Sequence, residues 1–62
     1  MSEQTKRDAK NAEYHLRNAE ISAGDAEKSA QKTGDTQLIQ KVTKIRETIT
    51  ETRKELNQKL GG

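Results

Sequence analysis

A chain of 62 residues with 27% hydrophobic and 35% charged residues, one Tyr, and no Phe, Trp, Pro or Cys can build one small domain at most, and such a domain buries only about 60% of the surface its unfolded chain exposes. The absence of cysteine excludes a disulfide framework, and a single histidine cannot build a metal site. Net charge is +2, divided as −1 over residues 1–35 and +3 over residues 36–62, a bias too mild to demand an anionic partner.

A heptad repeat runs through the first half. Residues 8–35 read DAKNAEY, HLRNAEI, SAGDAEK, SAQKTGD, with Ala9, Leu16, Ala23 and Ala30 at the second place and Ala12, Ala19, Ala26 and Thr33 at the fifth. An apolar pair at 3–4 spacing in each heptad is a coiled-coil seam. It predicts a first helix over about residues 5–32, opened by Thr5 as N-cap with Asp8 reaching back to it. Gly34 supplies a left-handed stop, and the turn spans residues 33–35. Asp35 or Thr36 then caps a second helix over about residues 36–60. Leu38, Val42, Ile45, Ile49, Thr52 and Leu56 repeat the same spacing there, and Gly61 and Gly62 end it.

So short a connection forces the helices antiparallel. The expected fold is all-α: an antiparallel two-helix hairpin, an Ala-rich coiled coil, in a single domain spanning residues 1–62. Folding about Gly34 gives the layers Ala30–Leu38, Ala26–Val42, Ala23–Ile45, Ala19–Ile49, Leu16–Thr52 and Ala12–Leu56, in which small faces large. Beside this seam, Glu13, Glu20 and Glu27 form one flanking row, and Ile39, Arg46, Arg53 and Leu60 form the other. Glu20 and Glu27 are thereby expected to meet Arg46 and Arg53, and His15 falls near Glu55. A lone hairpin buries one side of each helix, so dimerisation into a four-helix bundle is expected.

No catalytic constellation is present: no Cys nucleophile, no glycine-rich phosphate loop, and no serine placed beside a histidine and a carboxylate. The chain is not expected to be an enzyme or to carry a cofactor. His15 has Asn11, Ala12, Asn18 and Ala19 at helical neighbour positions, so it reads as a polar surface residue rather than a ligand. Tyr14 and Ile21 lie one heptad apart on the face away from the expected seam, with Arg17 and Gly24 on the same line. Isolated apolar surface residues are ordinary; in a hairpin this thinly packed, the line is also a candidate contact for another copy or for a protein partner. Lys41, Lys44 and Lys54 make the second helix the basic one. Glu47, Glu51 and Glu55 interrupt it as on any solvated helix face. The alternative is that these lysines contact nucleic-acid phosphates.

Glu55-Leu56-Asn57-Gln58-Lys59-Leu60-Gly61-Gly62 slightly resembles the double-glycine leaders of secreted bacterial peptides, but Lys59 departs from the apolar residue of those leaders, and a helix stop is the better reading. In size and heptads the chain resembles the Rop-type plasmid regulators, dimers of short helical hairpins that bind paired RNA loops. That likeness implies structured RNA as the alternative ligand. No apolar run is long enough to span a membrane and no signal-peptide core occurs. The expectation is therefore a cytoplasmic interaction or structural module that associates with itself.

Overall fold

The computed structural model describes residues 2–61 and contains two helices, α1 (Glu3–Thr33) and α2 (Thr36–Gly61), packed against each other. With only Gly34 and Asp35 between them, the helices return antiparallel as a hairpin. The molecule measures 47 × 15 × 12 Å. Its length is that of α1 alone, since 31 residues rising 1.5 Å each span about 46 Å. No helix among the described residues is long and apolar enough to cross a membrane.

Local chemistry sets each helix end. α1 begins earlier than the sequence pattern predicts because Ser2, not Thr5, is the N-cap. The Ser2 Oγ accepts from the Thr5 backbone N–H at 3.1 Å and donates to the Thr5 hydroxyl at 2.8 Å. Thr5 thus occupies the third helical position, where its N–H is one of the four donors that need a partner. Asp8 accepts from the Gln4 side chain at 3.0 Å instead of closing a capping box. The other end follows expectation. Gly34 adopts φ 72°, ψ 2°, a left-handed conformation that costs glycine nothing, and its N–H returns to the Gln31 carbonyl. The Thr33 hydroxyl ties the turn, donating to the Ala30 carbonyl at 2.6 Å and accepting from the Asp35 N–H at 3.1 Å. Asp35 caps α2, its carboxylate accepting from the Leu38 N–H at 3.1 Å. α2 continues through Gly61; the expected role of Gly62 lies outside the described residues.

The seam differs from the expected one. On α1 the covered positions include Ala9, Glu13, Leu16, Glu20, Ala23, Glu27 and Ala30, and on α2 Ile39, Val42, Arg46, Ile49, Arg53, Leu56 and Leu60. Taken in order from the turn, they pair as Ala30–Ile39, Glu27–Val42, Ala23–Arg46, Glu20–Ile49, Leu16–Arg53, Glu13–Leu56 and Ala9–Leu60. The numbers of every pair add to 69, one more than a fold centred on Gly34 requires. One residue along a helix is a rotation of about 100°, so the small change in register exchanges one side row for another. The rows Ala9/Leu16/Ala23/Ala30 and Val42/Ile49/Leu56 stay in the seam as expected. The rows Ala12/Ala19/Ala26 and Leu38/Ile45/Thr52 do not. Ala12, Ala26 and Thr52 are exposed, Ala19 is half-buried at the seam's edge, and Leu38 and Ile45 remain 41% and 58% exposed. Their places are taken by the two rows expected on the flanks, Glu13/Glu20/Glu27 and Ile39/Arg46/Arg53/Leu60.

Candidate functional site

Two features of this seam matter for function: the ionic ladder that it contains and the apolar rows that it leaves out. In the ladder, each arginine of α2 stands opposite an apolar residue of α1; Arg46 reaches one neighbouring glutamate and Arg53 reaches two. Arg46, opposite Ala23, donates through Nε to Glu27 at 2.9 Å. Arg53, opposite Leu16, donates through Nε to Glu20 at 3.2 Å, and its Nη1 lies 3.6 Å from Glu13. Glu13 is the more deeply covered carboxylate, and it also holds Arg17, whose Nη2 donates to both oxygens at 3.1 and 3.3 Å. The Thr50 hydroxyl donates to Glu20. That hydrogen bond, then the Arg53 and Arg46 guanidinium groups, hold the Glu20 carboxyl below its ordinary range against the opposing effect of partial burial. Glu27 is held down in the same way, first by the Thr43 hydroxyl and then by Arg46. The expected meeting of Glu20 and Glu27 with Arg53 and Arg46 is thus present, inside the seam rather than beside it.

Paired charges of this kind fix register and orientation better than they add stability. They also leave the hairpin without a closed apolar core. Ala30 is its one buried apolar residue among those described, and no side chain is fully buried.

The displaced rows come together on one side. Ala12, Ala19 and Ala26 each precede a seam glutamate, and Leu38, Ile45 and Thr52 each precede Ile39, Arg46 or Arg53. The near two-fold relation of antiparallel helices keeps equivalent heptad positions on the same flank, so both rows border one face. It carries a small row from α1 and, toward the turn, a large row from α2. The opposite flank is polar: there Arg17 reaches Glu13, and Thr43 and Thr50 reach across from α2 to Glu27 and Glu20.

The candidate contact line Tyr14, Arg17, Ile21 and Gly24 lies on this second flank, beside the seam rather than directly opposite it. Tyr14 is 60% and Ile21 63% exposed. Tyr14 meets His15 edge-on, with ring centroids 5.5 Å apart, and Arg17 is occupied by Glu13. A Cβ built on Gly24 would meet nothing within 4 Å, so the hairpin itself makes no use of the missing side chain. His15 forms no ion pair with Glu55 among the described residues. Lys41 and Lys44 lie together along a shallow depression with Gln37 and Gln40, while Lys54 stands apart on the exposed surface of α2.

The apolar flank as a second face was not read from the sequence, although a signal for it existed. Ile39 and Leu60 are apolar and in heptad phase with Arg46 and Arg53, which marks that row as covered. Leu38 and Ile45 then have to lie beside the seam, not in it. Compared with protein-family models, with characterised proteins and with solved structures, the chain matches none of them.

Proposed function

We propose that this protein is a non-enzymatic interaction or structural module that works by helix-to-helix association, first with itself and then, through what remains exposed, with a protein partner. The observation that carries this reading is the uncovered apolar flank. Leu38 and Ile45 stand exposed next to a row of alanines, while glutamate and arginine hold five of the fourteen places in the seam they border. A hairpin so composed gains more from burying that flank than from any further internal packing. Sedimentation equilibrium across the micromolar range tests the reading: a concentration-dependent helical dimer is expected, and a helical species that stays monomeric at high micromolar concentration refutes it.

A second reading is favoured by the grouping of Lys41 and Lys44 with Gln37 and Gln40 on one side of α2. Neither lysine has an ion-pair partner among the described residues, so both are available to phosphates. Structured RNA would then bind along α2, with affinity falling steeply as salt rises. Titration of RNA and DNA at about 50 mM salt separates the two readings. Binding that is lost in a Lys41→Glu/Lys44→Glu variant supports the nucleic-acid reading, and no binding by the parent chain removes it.

A further inference from the structure

We propose that the apolar flank is completed by a second copy of this chain, docked about a two-fold axis with both turns at the same end, so that Leu38 and Ile45 of each copy close over Ala26 of the other. The inference rests on the self-association proposed above and adds to it the face, the orientation and the residues in contact.

Three observations favour a second copy over another occupant. The first is area. The chain exposes 4812 Å², whereas a compact monomer of 7.0 kDa exposes about 4,000 Å². The surplus of about 800 Å² is that of an elongated hairpin over a compact body, and side-by-side docking of a second copy of the same length reduces it. The second is self-complementarity. One face carries both a small row, Ala12, Ala19 and Ala26, and a large pair, Leu38 and Ile45. A two-fold axis brings the large pair of each copy onto the small row of the other, which is the requirement of an isologous contact. The third is continuity. The displaced rows, exposed except for the half-buried Ala19, adjoin the seam rows Ala9/Leu16/Ala23/Ala30 and Val42/Ile49/Leu56, so each helix presents the broad apolar face of a bundle helix rather than the narrow one of a two-stranded coil.

The orientation follows from where the residues fall along the axis. In the register of the hairpin, Ala26 lies between the heights of Leu38 and Ile45, and Ala19 between those of Ile45 and Thr52. With both turns at one end, α2 of the second copy runs antiparallel to α1 at matching height. Leu38 and Ile45 then straddle Ala26, as knobs around a hole. At the rim, this alignment sets His15 beside the Glu55 of the second copy, a pair that the hairpin alone leaves unmade. Turns at opposite ends would instead lay α1 against α1 and α2 against α2, so that the alanine row meets an alanine row and Leu38 and Ile45 meet the polar far end of α2 rather than Ala26.

The chain contains no cysteine, so a Gln37→Cys variant takes one spin label per copy near the turn. Helices in such a bundle pack with axes about 8–10 Å apart, which puts the labels within about 30 Å of each other. Opposite ends would separate them by nearly the 47 Å length of the hairpin, and that result overturns the arrangement. Ile45→Lys should raise the dimer dissociation constant by about a hundredfold, since the two-fold counts each lost contact twice. Ile21→Lys on the other flank should leave it unchanged. A dimer broken by Ile21→Lys and kept by Ile45→Lys puts the contact on the wrong face, while self-association itself stands. A parent chain that stays monomeric removes both. If Ile45→Lys also loses helix, the label distance in the otherwise unchanged chain still decides.

Discussion

Arg53 is the side chain on which the ionic seam turns, and replacing it with methionine isolates the charge. Methionine keeps a long apolar stem against Leu16 but removes both cross-helix ion pairs, leaving Glu13 and Glu20 without their shared cation. Exposed ion pairs contribute about 0–1 kcal/mol each, whereas breaking a fully buried pair costs about 3–5 kcal/mol. The Arg53 side chain is 23% exposed and that of Glu13 11%, which places this site between the two limits. Arg17 remains to compensate Glu13 in part. A loss of about 2 kcal/mol is expected, or a fall in Tm of about 8–16 °C for a domain of this size. Urea unfolding followed by circular dichroism, at one fixed protein concentration because association shifts the midpoint, measures it. Arg17→Met is the control: that guanidinium is 60% exposed, and its loss should cost under about 1 kcal/mol. Replacing Glu13, Glu20 and Arg53 together by apolar residues should recover the loss or exceed it. Equal costs for Arg53→Met and Arg17→Met would refute the claim that the arginine row lies in the seam.

Acid should weaken the fold. Glu20 and Glu27 are held below their ordinary value in the folded chain, so their contribution is complete above the unfolded value near 4.5 and is lost as pH falls through the lowered folded values. Thermal melts from pH 6 down to pH 2 should show this decline, and Glu20→Gln/Glu27→Gln should flatten it. Gly34→Ala should cost about 1–2 kcal/mol through backbone conformation alone, because φ is 72° and the added methyl meets nothing within 4 Å; unchanged stability in denaturant titration would contradict the left-handed cap. Ala23→Leu, opposite Arg46 in the seam, should overpack it at about 1–3 kcal/mol. Ala26→Leu, on the exposed row, should leave the hairpin's helicity intact at nanomolar concentration and act on association instead.

Much of the fold was legible because its signals are local or periodic. Gly34 and Asp35 carry their turn chemistry in their own side chains or lack of one, and the heptads of both helices fix that two helices form and pack along each other. The N-cap is ambiguous in the sequence because Ser2 and Thr5 offer the same hydroxyl chemistry three residues apart; the folded helix uses Ser2. The seam was half right for a deeper reason. Ranking rows by apolarity selects alanine over glutamate, but an alanine row beside leucine and isoleucine buries little area, while glutamate and arginine rows in phase across the helices satisfy each other's charge and bury their methylene stems. That choice depends on a register difference of one residue, which no single helix reveals. The exposed apolar flank is hidden in the sequence for the same reason, since heptad spacing alone places Leu38 and Ile45 in the seam.

A second copy proposed to cover the apolar flank would not lengthen the molecule, and small-angle X-ray scattering reads mass and shape in one measurement. The expected particle has twice the 7.0 kDa chain mass and a long dimension close to the 47 Å of one hairpin. A particle of single-chain mass at high micromolar concentration, or a dimer markedly longer than one hairpin, would contradict this arrangement.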